Sequence, residues 1–126
     1  MDMTVLVKLG VDRAHLEQVF HSIGDSADLC EGYLQHTVDD IAKFVARLQE
    51  WRRPLTGYVN MTVLILKAAS YSIGLLQLAQ RCAEFNALYD RRADEAQLSP
   101  LLDEIISAAN AFVTGFRSHL RDDPSP

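Results

Sequence analysis

Cysteine is scarce in this chain, with two residues, Cys30 and Cys82, among 126. Each stands alone inside an apolar-periodic stretch, without the paired spacing of a zinc site, so both read as reduced core thiols. Basic residues are outnumbered, 12 Lys and Arg against 17 Asp and Glu, for a net charge of −5. An acidic chain lacks the basic face of a general nucleic-acid binder. No segment approaches the roughly 18 uninterrupted apolar residues of a membrane span. The first ten residues contain the apolar run Val5-Leu6-Val7 but no basic leader and no cleavage site. Gly-rich phosphate loops, Gly-x-Ser-x-Gly and His-Glu-x-x-His are all missing. The expectation is a cytoplasmic, non-enzymatic protein without metal, cofactor, nucleic-acid or membrane partner.

What is present suits one globular domain: 48% hydrophobic residues and 23% charged. Apolar residues recur at three and four positions almost everywhere, the signature of amphipathic helices. Asp12 can cap a short first helix carrying Leu16, Val19 and Phe20. After a break at residues 22–26, Asp25 or Ser26 can cap a long helix to about Arg52, with Leu34, Val38, Ile41, Val45 and Leu48 on one stripe. The third helix is predicted from about Leu55 through Ser72, with Val59, Val63, Leu66, Ala69 and Ile73 buried. Gly74 marks a bend, and the fourth helix carries Leu78, Cys82 and Phe85 before fading in the charged run 90–95. A last helix is predicted to begin near Ser99-Pro100, serine as cap and proline in the first turn. Strand is conceivable only in the first few residues. The economical architecture is all-α: an up-down-up-down four-helix bundle over residues 11–121, with a short N-terminal helix. Residues 1–10 read as an extension and 122–126 as a flexible tail.

One segment carries more information than the rest. Residues 64–74 read Leu-Ile-Leu-Lys-Ala-Ala-Ser-Tyr-Ser-Ile-Gly. This resembles the active segment of histidine-containing phosphotransfer (HPt) domains, H-x-x-K-G-x-x-x-x-x-G. Lys67 and Gly74 match the motif's lysine and last glycine, and Ala68 replaces its first glycine. Leu64 occupies the place of the phosphorylated histidine. A branched alkane has no lone pair to offer phosphorus, so the resemblance implies the scaffold with its chemistry removed. The similarity extends over roughly Val11 to Leu120, including Gly24-Asp25-x-Ala-Asp-Leu and Leu75-Leu76-Gln-Leu-Ala79. In that family a receiver domain docks over the third helix, the lysine offsets phosphoryl charge and the glycine leaves room for the approach.

Leu64, Lys67, Ala68 and Tyr71 lie at i, i+3, i+4 and i+7, and Asn60 and Met61 extend their stripe one turn back. These six residues are the candidate docking surface. Periodicity alone also admits the opposite rotation, with Leu64 in the core; the resemblance favours exposure. Ala68 and Tyr71 are bulkier than the family's residues there and would narrow or redirect docking. Of the four histidines, only His36 is a candidate displaced phosphoacceptor, and Asp39 and Asp40 follow it where lysine and glycine would belong. His15, His21 and His119 read as surface residues. Three functions follow. The first is a non-phosphorylatable adaptor binding a response-regulator receiver domain or a hybrid histidine kinase. The second is an active phosphotransfer protein using His36. The third is a structural bundle in which Leu64 and Met61 bury against a second copy as a homodimer.

Overall fold

Side chains that accept orphan backbone N–H groups stand at most of the helix starts in this chain. The structure, a computed structural model, describes residues 2–122. It has six helices and, among the described residues, no strand: α1 (Met3–Lys8), α2 (Arg13–Ser22), α3 (Ala27–Trp51), α4 (Gly57–Ser72), α5 (Leu76–Asp90) and α6 (Glu95–Asp122). Asp12 accepts the His15 N–H at 2.8 Å and starts α2. Ser26, rather than Asp25, caps α3, and Thr56 caps α4 through the Val59 N–H.

Three boundaries differ from the sequence expectation. Residues 3–8, expected as an extension with some strand character, form α1, because Asp2 caps the Thr4 N–H at 2.9 Å and Leu6 inserts into the core. The last helix begins at Glu95, four residues before Ser99. Asp94, hidden in the charged run, accepts the Gln97 N–H at 3.0 Å and supplies the cap. Pro100 therefore sits inside α6, in its second turn, where its missing N–H removes one helical hydrogen bond. The helix predicted from Leu55 starts two residues later, at Gly57. Of the expected tail, Asp122 ends α6 and residues 123–126 lie outside the described range.

The four longer helices close a ring of contacts: α3 packs on α4 and α6, and α5 also packs on α4 and α6. One core cluster joins them, including Leu34, Leu66, Ile73, Phe85, Leu102 and Phe116. Each such side chain contributes about 1.5–3 kcal/mol through removal from water. Leu6, Val11 and Leu16 belong to the same cluster, so the two short helices are built onto this core. Two exposed ion pairs run from the α3 region to α6, Arg117 with Asp39 at 3.0 Å and Arg52 with Asp103. Surface pairs of this kind contribute little and serve mainly to mark the register.

The bend after α4 attaches α2. Gly74 is buried with φ +83, and its carbonyl accepts the Asp12 N–H at 2.8 Å. A Cβ at this position would stand 2.9 Å from the Asp12 carbonyl oxygen. Only glycine meets both demands, a left-handed backbone and an approach that close.

Candidate functional site

α4 is apolar nearly all round, and its charged content is a single residue, Lys67. Its inner face is set by Val59, Val63, Leu66 and Ile73 just beyond the helix, all buried in the core cluster where α4 packs on α3 and α5. Thr62 is buried as well, its hydroxyl donating to the Tyr58 carbonyl at 2.9 Å. Ser70 is fully buried, and its Oγ has no hydrogen-bond partner.

The opposite face is open. Tyr58 (62%), Met61 (55%), Leu64 (43%), Ile65 (43%) and Tyr71 (58%) are all exposed, with the small Ala68 between them. Among the described residues, nine large apolar or aromatic side chains are exposed, and five of them lie on this one helix. Exposed apolar residues are ordinarily scattered, so this concentration makes the outer face of α4 the candidate site. Trp51, at the end of α3, meets Tyr58 edge-on at 4.9 Å between ring centroids and prolongs the stripe. An open notch lined by Trp51, Pro54, Thr56 and Tyr58 adjoins it.

Met61, Leu64, Ala68 and Tyr71 thus share one solvent-facing stripe. Asn60 and Lys67 do not stand in its middle; both lie towards α5, half-buried. The Asn86 amide on α5 donates to the Asn60 backbone carbonyl at 3.0 Å and to its Oδ1 at 2.7 Å, which commits Asn60 to holding two helices together. Lys67 lies close enough to Cys82 on α5 to act on its thiol. Burial pushes that thiol up to about 12, and the positive charge of Lys67 works in the opposite direction. Lys67 therefore presents its charge at the rim of the stripe. Ile65, Tyr58 and Trp51 escaped the sequence reading. Ile65 belongs to neither of the two helical stripes drawn from the motif, and Trp51 joins only through a contact across the α3–α4 turn.

The histidines fall into different surroundings. His36 is exposed on α3, with Nε2 3.5 Å from the Asp40 carboxylate. His21 is exposed and its Nδ1 lies 2.9 Å from Asp25. His15, expected as a surface residue, is instead half-buried: its ring meets Tyr71 edge-on at 4.6 Å, and its Nε2 is buried without a hydrogen-bond partner. The reason is the docking of α2 beside the end of α4, a consequence of the Asp12–Gly74 bond.

Neither Cys30 nor Cys82 is disulfide-bonded, and both are buried. Among the described residues no three His, Cys, Asp or Glu side chains gather as metal ligands. No helix among them is long and apolar enough to cross a membrane. No protein-family model, curated protein or solved structure matches the chain.

Proposed function

We propose that this chain is a non-phosphorylatable HPt-like adaptor of phosphorelay signalling. It docks a receiver domain, alone or within a hybrid histidine kinase, through the exposed face of α4. The observation that carries the reading is Leu64, solvent-facing at the motif's histidine position and followed after three residues by Lys67. The contact ring of α3, α4, α5 and α6 supports an up-down-up-down bundle of the HPt kind. Gly74, the motif's last glycine, has a structural reason to be glycine.

The mechanism is occupancy. The adaptor offers an apolar docking stripe with one positive charge at its rim, and no lone pair stands where phosphorus would be attacked. Covering the exposed part of Leu64 contributes about 1 kcal/mol, so binding rests on the whole stripe and not on that residue alone. A receiver held this way is withheld from true phosphotransfer proteins. The adaptor acts in the cytoplasm and requires no cofactor.

The test titrates the wild-type chain and Leu64→Glu against receiver domains of the same genome, alongside phosphotransfer from phosphorylated receivers. The expected result is wild-type binding that Leu64→Glu weakens strongly, with no phosphoryl label on the wild-type chain. Stable labelling at His36 or any other histidine would end the inert-adaptor reading, and so would failure to bind every receiver offered.

A further inference from the structure

The exposed residues of α4 are arranged symmetrically about a point between Leu64 and Ile65. Met61 and Ala68 stand equally far from that point on opposite sides, and Tyr58 and Tyr71 do so one turn further out. A two-fold axis through it, perpendicular to the helix, would set Leu64 beside Ile65 of a second copy. Met61 would oppose Ala68, large against small, and Tyr58 and Tyr71 would share a level at each end on opposite flanks of the contact. From this juxtaposition we infer that the chain forms a closed two-fold homodimer in which α4 packs antiparallel against α4 of a second copy.

Self-complementarity is the requirement of an isologous interface, and a stripe that maps onto itself under reversal meets it. Charge points the same way. Each copy carries −5, yet α4 holds no acidic side chain, so two such faces meet without opposed carboxylates. Lys67, half-buried towards α5, stands to the side of the contact, so no lysine is set against its own counterpart. Ala68, beside the centre, lets the helix axes approach to the usual 8–10 Å or so. The stripe from Tyr58 to Tyr71 is about 20 Å long. Its five large side chains leave on the order of 500 Å² uncovered per copy, so pairing removes about 1,000 Å² in all, near the lower bound of specific interfaces. Trp51, packed on Tyr58, adds to that area at each end.

This pairing does not rest on the receiver reading. Where both hold, the dimer covers the docking stripe and a receiver must compete with the second copy for it.

Sedimentation velocity over a wide concentration range tests the proposal. The wild-type chain should move from monomer to dimer, and Leu64→Glu should raise the dissociation constant on the order of 100-fold with helicity unchanged. A wild-type chain that stays monomeric throughout overturns the proposal, as does a dimer that Leu64→Glu leaves intact. Orientation is read by mild oxidation of mixed variants that each carry one added surface cysteine, the native Cys30 and Cys82 being buried. Met61→Cys should link to Ala68→Cys between copies, in preference to either variant linking to itself. Preferred Met61→Cys self-linkage would mean a parallel pair and would also overturn it. Failure of receiver binding leaves the sedimentation result untouched, so the two readings fail separately.

Discussion

The Gly74 carbonyl holds the Asp12 backbone N–H at 2.8 Å, so the last residue of the motif-like segment carries the start of α2. Gly74→Ala would place a Cβ 2.9 Å from the Asp12 carbonyl oxygen on a backbone with φ +83. The expected cost is about 1–3 kcal/mol of stability, read as a lower urea midpoint with an unchanged slope. A neutral outcome would mean that the bend relaxes without consequence.

Adjacent residues on α4 should respond in opposite ways. Leu66 is fully buried whereas Ile65 is exposed. Leu66→Ala is expected to cost about 2–5 kcal/mol, and Ile65→Ala to stay within about 0.5 kcal/mol when measured on the monomer. Chemical denaturation of both variants reports the rotation of the helix directly.

The Asn60–Asn86 pair ties α4 to α5 by two hydrogen bonds from one amide. Asn86→Ala leaves the Asn60 Oδ1 without its donor in a half-buried site. A loss of about 1–2 kcal/mol is expected, while Asn60→Ala should cost less because the backbone carbonyl still accepts. Thermal unfolding of the two variants side by side separates these outcomes.

Cys82 gives the fold a definite alkaline weakness. Its thiol is raised from 9.0 to about 12 by burial, with Lys67 opposing. Above pH 9 the unfolded chain releases this proton while the folded chain keeps it, so the unfolded state binds fewer protons and stability falls as pH rises towards about 12. Below pH 9 the thiol is protonated in both states and contributes no slope. Cys82→Ala should remove this part of the decline, seen as the difference between the two stability–pH curves from pH 8 upward.

Leu64→His places an imidazole on the exposed face of α4, three residues before Lys67. If receivers dock over α4, this variant should take up an acid-labile phosphoryl label from a phosphorylated receiver, where the wild-type chain takes none. A variant that binds receivers yet stays unlabelled would show that Ala68 and Tyr71 hold the phosphoryl group out of line.

Most of the helical framework was legible because long stripes repeat at helical spacing: the buried sets of α3, α5 and α6 follow directly from it. Asp12 and Ser26 were readable as caps because each precedes such a stripe. Six residues are too few to show a period, and Val5-Leu6-Val7 carries β-branched residues, which is why α1 was missed. Ser99-Pro100 imitates a helix start so well that it masked Asp94, the residue that caps α6. The exposed rotation of α4 is not decided by periodicity, since a helix apolar all round has no unique inner face; its packing on α3 and α5 sets it. Asn60 was misplaced for a different reason. Its partner is 26 residues away, and no local pattern announces a hydrogen bond across two helices.

The near absence of charge on α4 bears on how the chain is made. Synthesis proceeds from the N-terminus, so α4 leaves the ribosome while α5 and α6, which cover parts of the nascent structure, have not yet emerged. In that interval an apolar rod with one lysine has α3 and the short N-terminal helices beside it but lacks α5, and the growing polypeptide is then most prone to stick to its neighbours. A stop codon falling between α4 and α6 would leave a fragment fated for aggregation or rapid degradation.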